Sequence, residues 1–144
     1  MTTTPIDPKA LRRQLTADPQ SLRLMLDRMV EQSAIQIPPD YGPDLAFPAV
    51  CRLARAASPE HGREQLGRLA VYFHSRLADP NEVELADFSL AIAFRDDYPD
   101  DYDLDTAFAD VLSIGILDTD PELHKTILPL ALWMFERLQK GDGQ

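Results

Sequence analysis

The sequence predicts an all-α protein, an irregular antiparallel bundle of about six or seven helices. Three observations carry this. Apolar residues recur at spacings of three and four along each long segment, and prolines stand directly after capping side chains. No alternating run or Asn-Gly or Asp-Gly hairpin signal marks a strand pair.

Proline placement gives the starts. Asp7-Pro8, Asp18-Pro19, Ser58-Pro59 and Asp120-Pro121 each set an oxygen-bearing side chain before a proline. Such a side chain accepts from the free amides of a first turn, where proline loses no hydrogen bond. Asn81 with Glu84, and Thr119 with Glu122, have the spacing of a capping box.

The segments follow in order. Over 19–36, Leu22, Met25, Leu26, Met29 and Val30 form one stripe, with Arg23, Asp27, Arg28 and Glu31 opposite. Residues 44–57 carry Pro48, so a helix there is bent or restarts. Over 59–78, Leu66, Leu69, Ala70, Phe73 and Leu77 repeat at helical spacing. Over 82–95 there are two stripes, Leu85, Phe88 and Ile92 on one side and Leu90 with Phe94 on another, which predicts burial on both. Residues 105–116 offer Phe108, Val111, Leu112 and Gly115-Ile116. The last segment, 120–140, is apolar nearly all round through 130–135, and Pro129 either kinks it or marks a restart after Thr126. The connectors at 37–43, 79–81, 96–104 and 117–119 are short, which favours antiparallel neighbours.

A chain of 144 residues fits a single helical domain, expected over 5–140 with disordered tails at 1–4 and 141–144. Cys51 is the only cysteine, so neither an internal disulfide nor a cysteine zinc cluster can form. It lies among Val50, Leu53 and Ala54 and is expected to be a buried thiol. The first seven residues have no basic stretch or apolar run, and no apolar segment is long enough to span a bilayer. A cytoplasmic location without membrane contact is the expectation.

Charge is the most informative feature. The formal net charge is −10, yet residues 96–122 hold ten acids and no lysine or arginine, while the rest balances 14 acids against 14 bases. The densest part is Asp96-Asp97-Tyr98-Pro99-Asp100-Asp101-Tyr102-Asp103-Leu104-Asp105. Its carboxylates repel one another, whereas tyrosine gives a rigid contact surface with a polar tip. Three readings fit: a docking face for a basic protein, a solvated connector in which Asp103 or Asp105 caps the next helix, and a cation site.

Sequence motifs for chemistry are poor. Asp96-Asp97-Tyr98-Pro99-Asp100 matches the DDxxD string, but Pro99 disfavours the helix that string needs. Asp101, Asp103 and Asp105 have calcium-loop spacing, but Thr106 stands where glycine is needed and Leu112 where glutamate is needed. The histidines His61, His74 and His124 share no metal spacing, and His124 with Glu122 and Asp120 is only a weak metal candidate. Nucleophile elbows, phosphate loops and dinucleotide fingerprints are missing. The expectation is no enzyme, no cofactor and no metal. Direct nucleic-acid binding is not expected of so acidic a chain, although Arg52, Arg55, Arg63, Arg68 and Arg76 make a modest basic run.

The leading functional expectation is therefore a protein-binding module. Its partner-binding residues would be Asp96, Asp97, Tyr98, Asp100, Asp101, Tyr102, Asp103 and Asp105, facing a basic partner. In composition the chain is similar to bacterial immunity proteins, which are small, acidic and often helical; no family motif matches, so no residue roles carry over. Two alternatives remain: an acidic secretion chaperone or adaptor holding an apolar client segment, with a groove built from Leu90 and Phe94, and a small carboxylate- or metal-dependent enzyme. The oligomeric state is open.

Overall fold

A computed structural model of the chain describes residues 10, 13, 17–57, 62–96, 98–115 and 121–140. The tails at 1–4 and 141–144, and the starts at Asp7, Ser58 and Asp120, lie outside the described residues. Within them are six helices and no strand: α1 (Pro19–Ser33), α2 (Pro43–Ala56), α3 (Arg63–His74), α4 (Leu85–Arg95), α5 (Leu104–Gly115) and α6 (Pro121–Gln139). The all-α class is what the structure has.

Local chemistry sets the helix ends. Three of the six helices begin at a proline. Asp18 caps α1: its carboxylate accepts from the Ser21 amide at 3.2 Å and the Ser21 hydroxyl at 2.7 Å. The hydroxyl bond, then the amide bond, hold that carboxyl below its usual range. Asp103 caps α5 the same way, accepting from the Thr106 amide at 3.0 Å and its hydroxyl at 2.9 Å. The Asn81–Glu84 box does not form. Asn81 instead donates its amide to Asp79 at 3.3 Å, and Glu84 holds the N-cap position of α4 with no side-chain cap bond.

Both interior prolines are carried through. Pro48 lies inside α2 and Pro129 inside α6. There is no restart after Thr126, whose hydroxyl donates back to the Glu122 carbonyl at 3.4 Å. Each proline leaves the carbonyl four residues earlier without its helical donor. The apolar flanks of both prolines bury enough side chain to keep each helix continuous.

The helices fall into two compact units, residues 1–39 with 103–144, and residues 40–102. In the first, α6 packs against α1 and α5 around Leu26, Phe108, Leu128, Leu130 and Met134. Gly115 faces Ile127 where α5 and α6 approach, leaving no room for a Cβ. In the second, α3 packs against α2 and α4 around Phe47, Val50, Leu69, Tyr72 and Phe73. Gly67 of α3 faces the Phe94 ring of α4 in the same way.

One expectation needs correcting. α4 is not buried on two sides. Leu85 is 78% exposed and Ile92 42%, whereas Asp87, Leu90 and Ala91 are buried and Phe94 is half-buried. The inward face therefore runs 87, 90, 91, 94, a regular helical stripe whose first member is an aspartate. The expected stripe of Leu85, Phe88 and Ile92 lies mostly toward solvent. No described helix is long and apolar enough to cross a membrane.

Candidate partner-binding surface

The acidic segment divides at the boundary between the units: residues 96–102 belong to the second and Asp103 and Asp105 to the first. Within the second unit the two tyrosines do not behave alike. Tyr102 is buried, while Tyr98 is half-buried against it with ring centroids 5.0 Å apart. Tyr102 also meets Tyr72 of α3 edge-on at 6.0 Å, and the Arg76 guanidinium lies 3.8 Å from the Tyr72 ring centroid. An aromatic stack thus runs from α3 to the loop. Two backbone bonds, Tyr98 to the Arg95 carbonyl and Tyr102 to the Pro99 carbonyl, each 3.2 Å, fold the segment into consecutive turns.

Around this anchor Asp96, Asp100 and Asp101 are exposed, and among the described residues none of them forms an ion pair. Asp97 lies outside the described residues. In the first unit Asp103 is exposed but committed to capping α5, and Asp105 is half-buried on that helix. Of the eight residues singled out from sequence, three exposed carboxylates without an ion pair, Asp96, Asp100 and Asp101, therefore share a loop with two stacked tyrosines. Asp103 has a structural duty.

A second feature escaped the sequence reading. The second unit carries a concave groove of about 560 Å³ between α2 and the 77–84 connector. Its carboxylates are Asp44, Asp79, Glu82, Glu84 and Asp87, and its arginines are Arg52 and Arg55. Asp87 is 5% exposed and its carboxylate accepts a 2.5 Å hydrogen bond from the Arg55 guanidinium. That bond, followed by the nearby charge of Asp87, holds Arg55 in its charged form. A signal was available: an acid at the first position of the stripe 87, 90, 91, 94 must be paired if that face is buried.

Leu90 and Phe94, expected to line a client groove, are used in packing; Leu90 is buried and Phe94 rests on Gly67. His74 is buried as well. Its Nε2 lies 3.1 Å from the Pro80 carbonyl, which can only accept, so Nε2 carries the proton. The His74 ring packs between Phe47 at 5.3 Å and Phe88 at 5.7 Å, a structural setting. Cys51 is fully buried, and burial together with the Asp87 charge pushes its thiol pKa up to about 12. His61 lies outside the described residues, as does Asp120 of the His124, Glu122 and Asp120 metal candidate. Among the described residues no three His, Cys, Asp or Glu side chains are grouped to hold a metal ion.

Compared with known proteins, the chain matches no family model, no curated protein and no solved structure.

Proposed function

We propose that this protein is a non-catalytic binding module whose acidic loop at 96–101 docks on a basic surface of another protein. The observation that carries the reading is a loop anchored by the buried Tyr102 stacked on Tyr98, in which Asp96, Asp100 and Asp101 are exposed. A loop already held by turns and stacked rings loses little entropy on binding, and carboxylates free of internal partners keep their charge for an incoming cation. The concrete form of the proposal is an inhibitor of the immunity or antitoxin kind, covering the basic cleft of a toxin that acts on nucleic acid or nucleotides. Such clefts are basic because their substrates carry phosphate.

The test compares the native chain with an Asp96→Asn, Asp100→Asn, Asp101→Asn variant as bait in the native host, with washes of rising salt. A stoichiometric basic protein held by the native chain, released by salt and lost by the variant, is the expected outcome. Its association rate should fall about tenfold or more in the variant, with a flatter dependence on ionic strength. A partner retained equally by both baits would overturn the proposal.

A further inference from the structure

The groove in the second unit is separate from the acidic loop, and its charge has a consequence of its own. Five carboxylates line it against two arginines, and Arg55 is already paired with Asp87. Asp79 is also engaged, accepting the Asn81 amide. Among the described residues Asp44, Glu82 and Glu84 form no ion pair. With the Arg55–Asp87 pair set aside, Asp44, Asp79, Glu82 and Glu84 face Arg52 alone, an excess of three negative charges around an apolar floor of Phe47, Pro48, Leu77 and Val83. Such a surface suits a cation on an aliphatic stem, whose methylenes lie on the floor while the charged head reaches the rim.

Beside the groove lies an apolar shelf. Val83 belongs to both the groove and an adjoining hollow formed with Asn81, Leu85 and Phe88. Leu85, at 78% exposure, is the most exposed large apolar side chain among the described residues. A free cation would use the groove and leave the shelf wet. A peptide with a basic residue next to a large apolar one would cover both.

We propose that this groove and shelf bind a segment of a partner protein in which an arginine or lysine stands beside a leucine-like residue. The arginine head pairs with Glu82, Glu84 and Asp44 while the Arg55–Asp87 pair stays intact beneath it, and the neighbouring apolar side chain covers Leu85 and Phe88. This contact is independent of the acidic loop and would give the protein a second point of attachment.

The probe is acetyl-Leu-Arg-Leu-amide, titrated into the isotopically labelled full chain and followed by amide chemical shifts. Its controls are acetyl-Leu-Glu-Leu-amide and arginine amide alone. Shifts at residues 44–55 and 77–88 are expected with the arginine peptide, and binding roughly fivefold weaker or worse with either control. The Glu82→Gln, Glu84→Gln variant should lose about the same factor, since both side chains are exposed and their replacement leaves the core untouched. The Asp96→Asn, Asp100→Asn, Asp101→Asn variant should bind the peptide as the native chain does. Equal affinity for the arginine and glutamate peptides, shifts centred on 96–101, or arginine amide binding as tightly as the tripeptide would each overturn the proposal.

Discussion

Carboxylates of one type and neighbouring position do different jobs here, and only their local bonds separate them. Asp103 accepts two hydrogen bonds from Thr106 and starts α5, while Asp100 and Asp101 are exposed without an ion pair among the described residues. Asp103→Ala is therefore expected to lower stability by about 0.5–2 kcal/mol, and Asp100→Ala to stay within about 0.5 kcal/mol of native, by denaturant titration. Equal effects would mean that Asp103 is not a working cap. Cys51 offers a second residue-level check. Its thiol pKa, raised to about 12, keeps it neutral in the folded chain at pH 8, so a thiol reagent should modify it slowly until denaturant is added. The sign for stability follows: the unfolded thiol ionises first, so this contribution is whole below the ordinary value of 9.0 and is lost as pH rises toward 12. Rapid labelling of the native chain would refute the burial. The sequence announced this cysteine through its apolar neighbours. It could not announce the Arg55–Asp87 pair, because the partners are 32 positions apart and no local pattern links them.

At the scale of elements, apolar periodicity located five of the six described helices, because a stripe is a local signal, and capping chemistry placed the starts of α1 at Asp18 and α5 at Asp103; for α2 the sequence offered only the warning of Pro48. What periodicity could not settle was which face of α4 turns inward. Its two stripes are about equally apolar, and the choice falls to Asp87, which meets Arg55 of α2, and to Phe94, which fits over Gly67 of α3. Gly67 is therefore more than a weak helix former. On intrinsic propensity alone Gly67→Ala would stabilise α3 by about 1 kcal/mol. The Phe94 ring occupies the space a Cβ needs, so the expected result is instead a net loss of about 1–3 kcal/mol and a fall in melting temperature. A more stable variant would show that α3 and α4 can separate freely at this point. The interior prolines give the complementary lesson. Pro48 and Pro129 are local warnings against a helix, and burial of the flanking side chains outweighs both.

For the whole molecule, the sequence reading that residues outside 96–122 are electrically balanced is true along the chain and not in space. The balance counts Asp44, Glu82 and Glu84 against arginines elsewhere, yet folding brings these acids to one groove. The acidic loop, by contrast, was legible because its charges are consecutive. A net charge of −10 works against compaction, and most of that cost should come from the loop. Raising salt from about 10 mM to 300 mM shortens the screening length from roughly 30 Å to under 10 Å, so the melting temperature of the native chain should rise. In the Asp96→Asn, Asp100→Asn, Asp101→Asn variant the melting temperature should already be higher at low salt, and should respond less to added salt. A gain in stability coupled to a loss of partner capture is what separates a binding face from a loop kept acidic for folding, since surfaces held for binding are often maintained at a cost to stability. If instead the variant is less stable than the native chain at low salt, the three carboxylates have partners within the fold, and the charge of this loop is part of how the protein stands up.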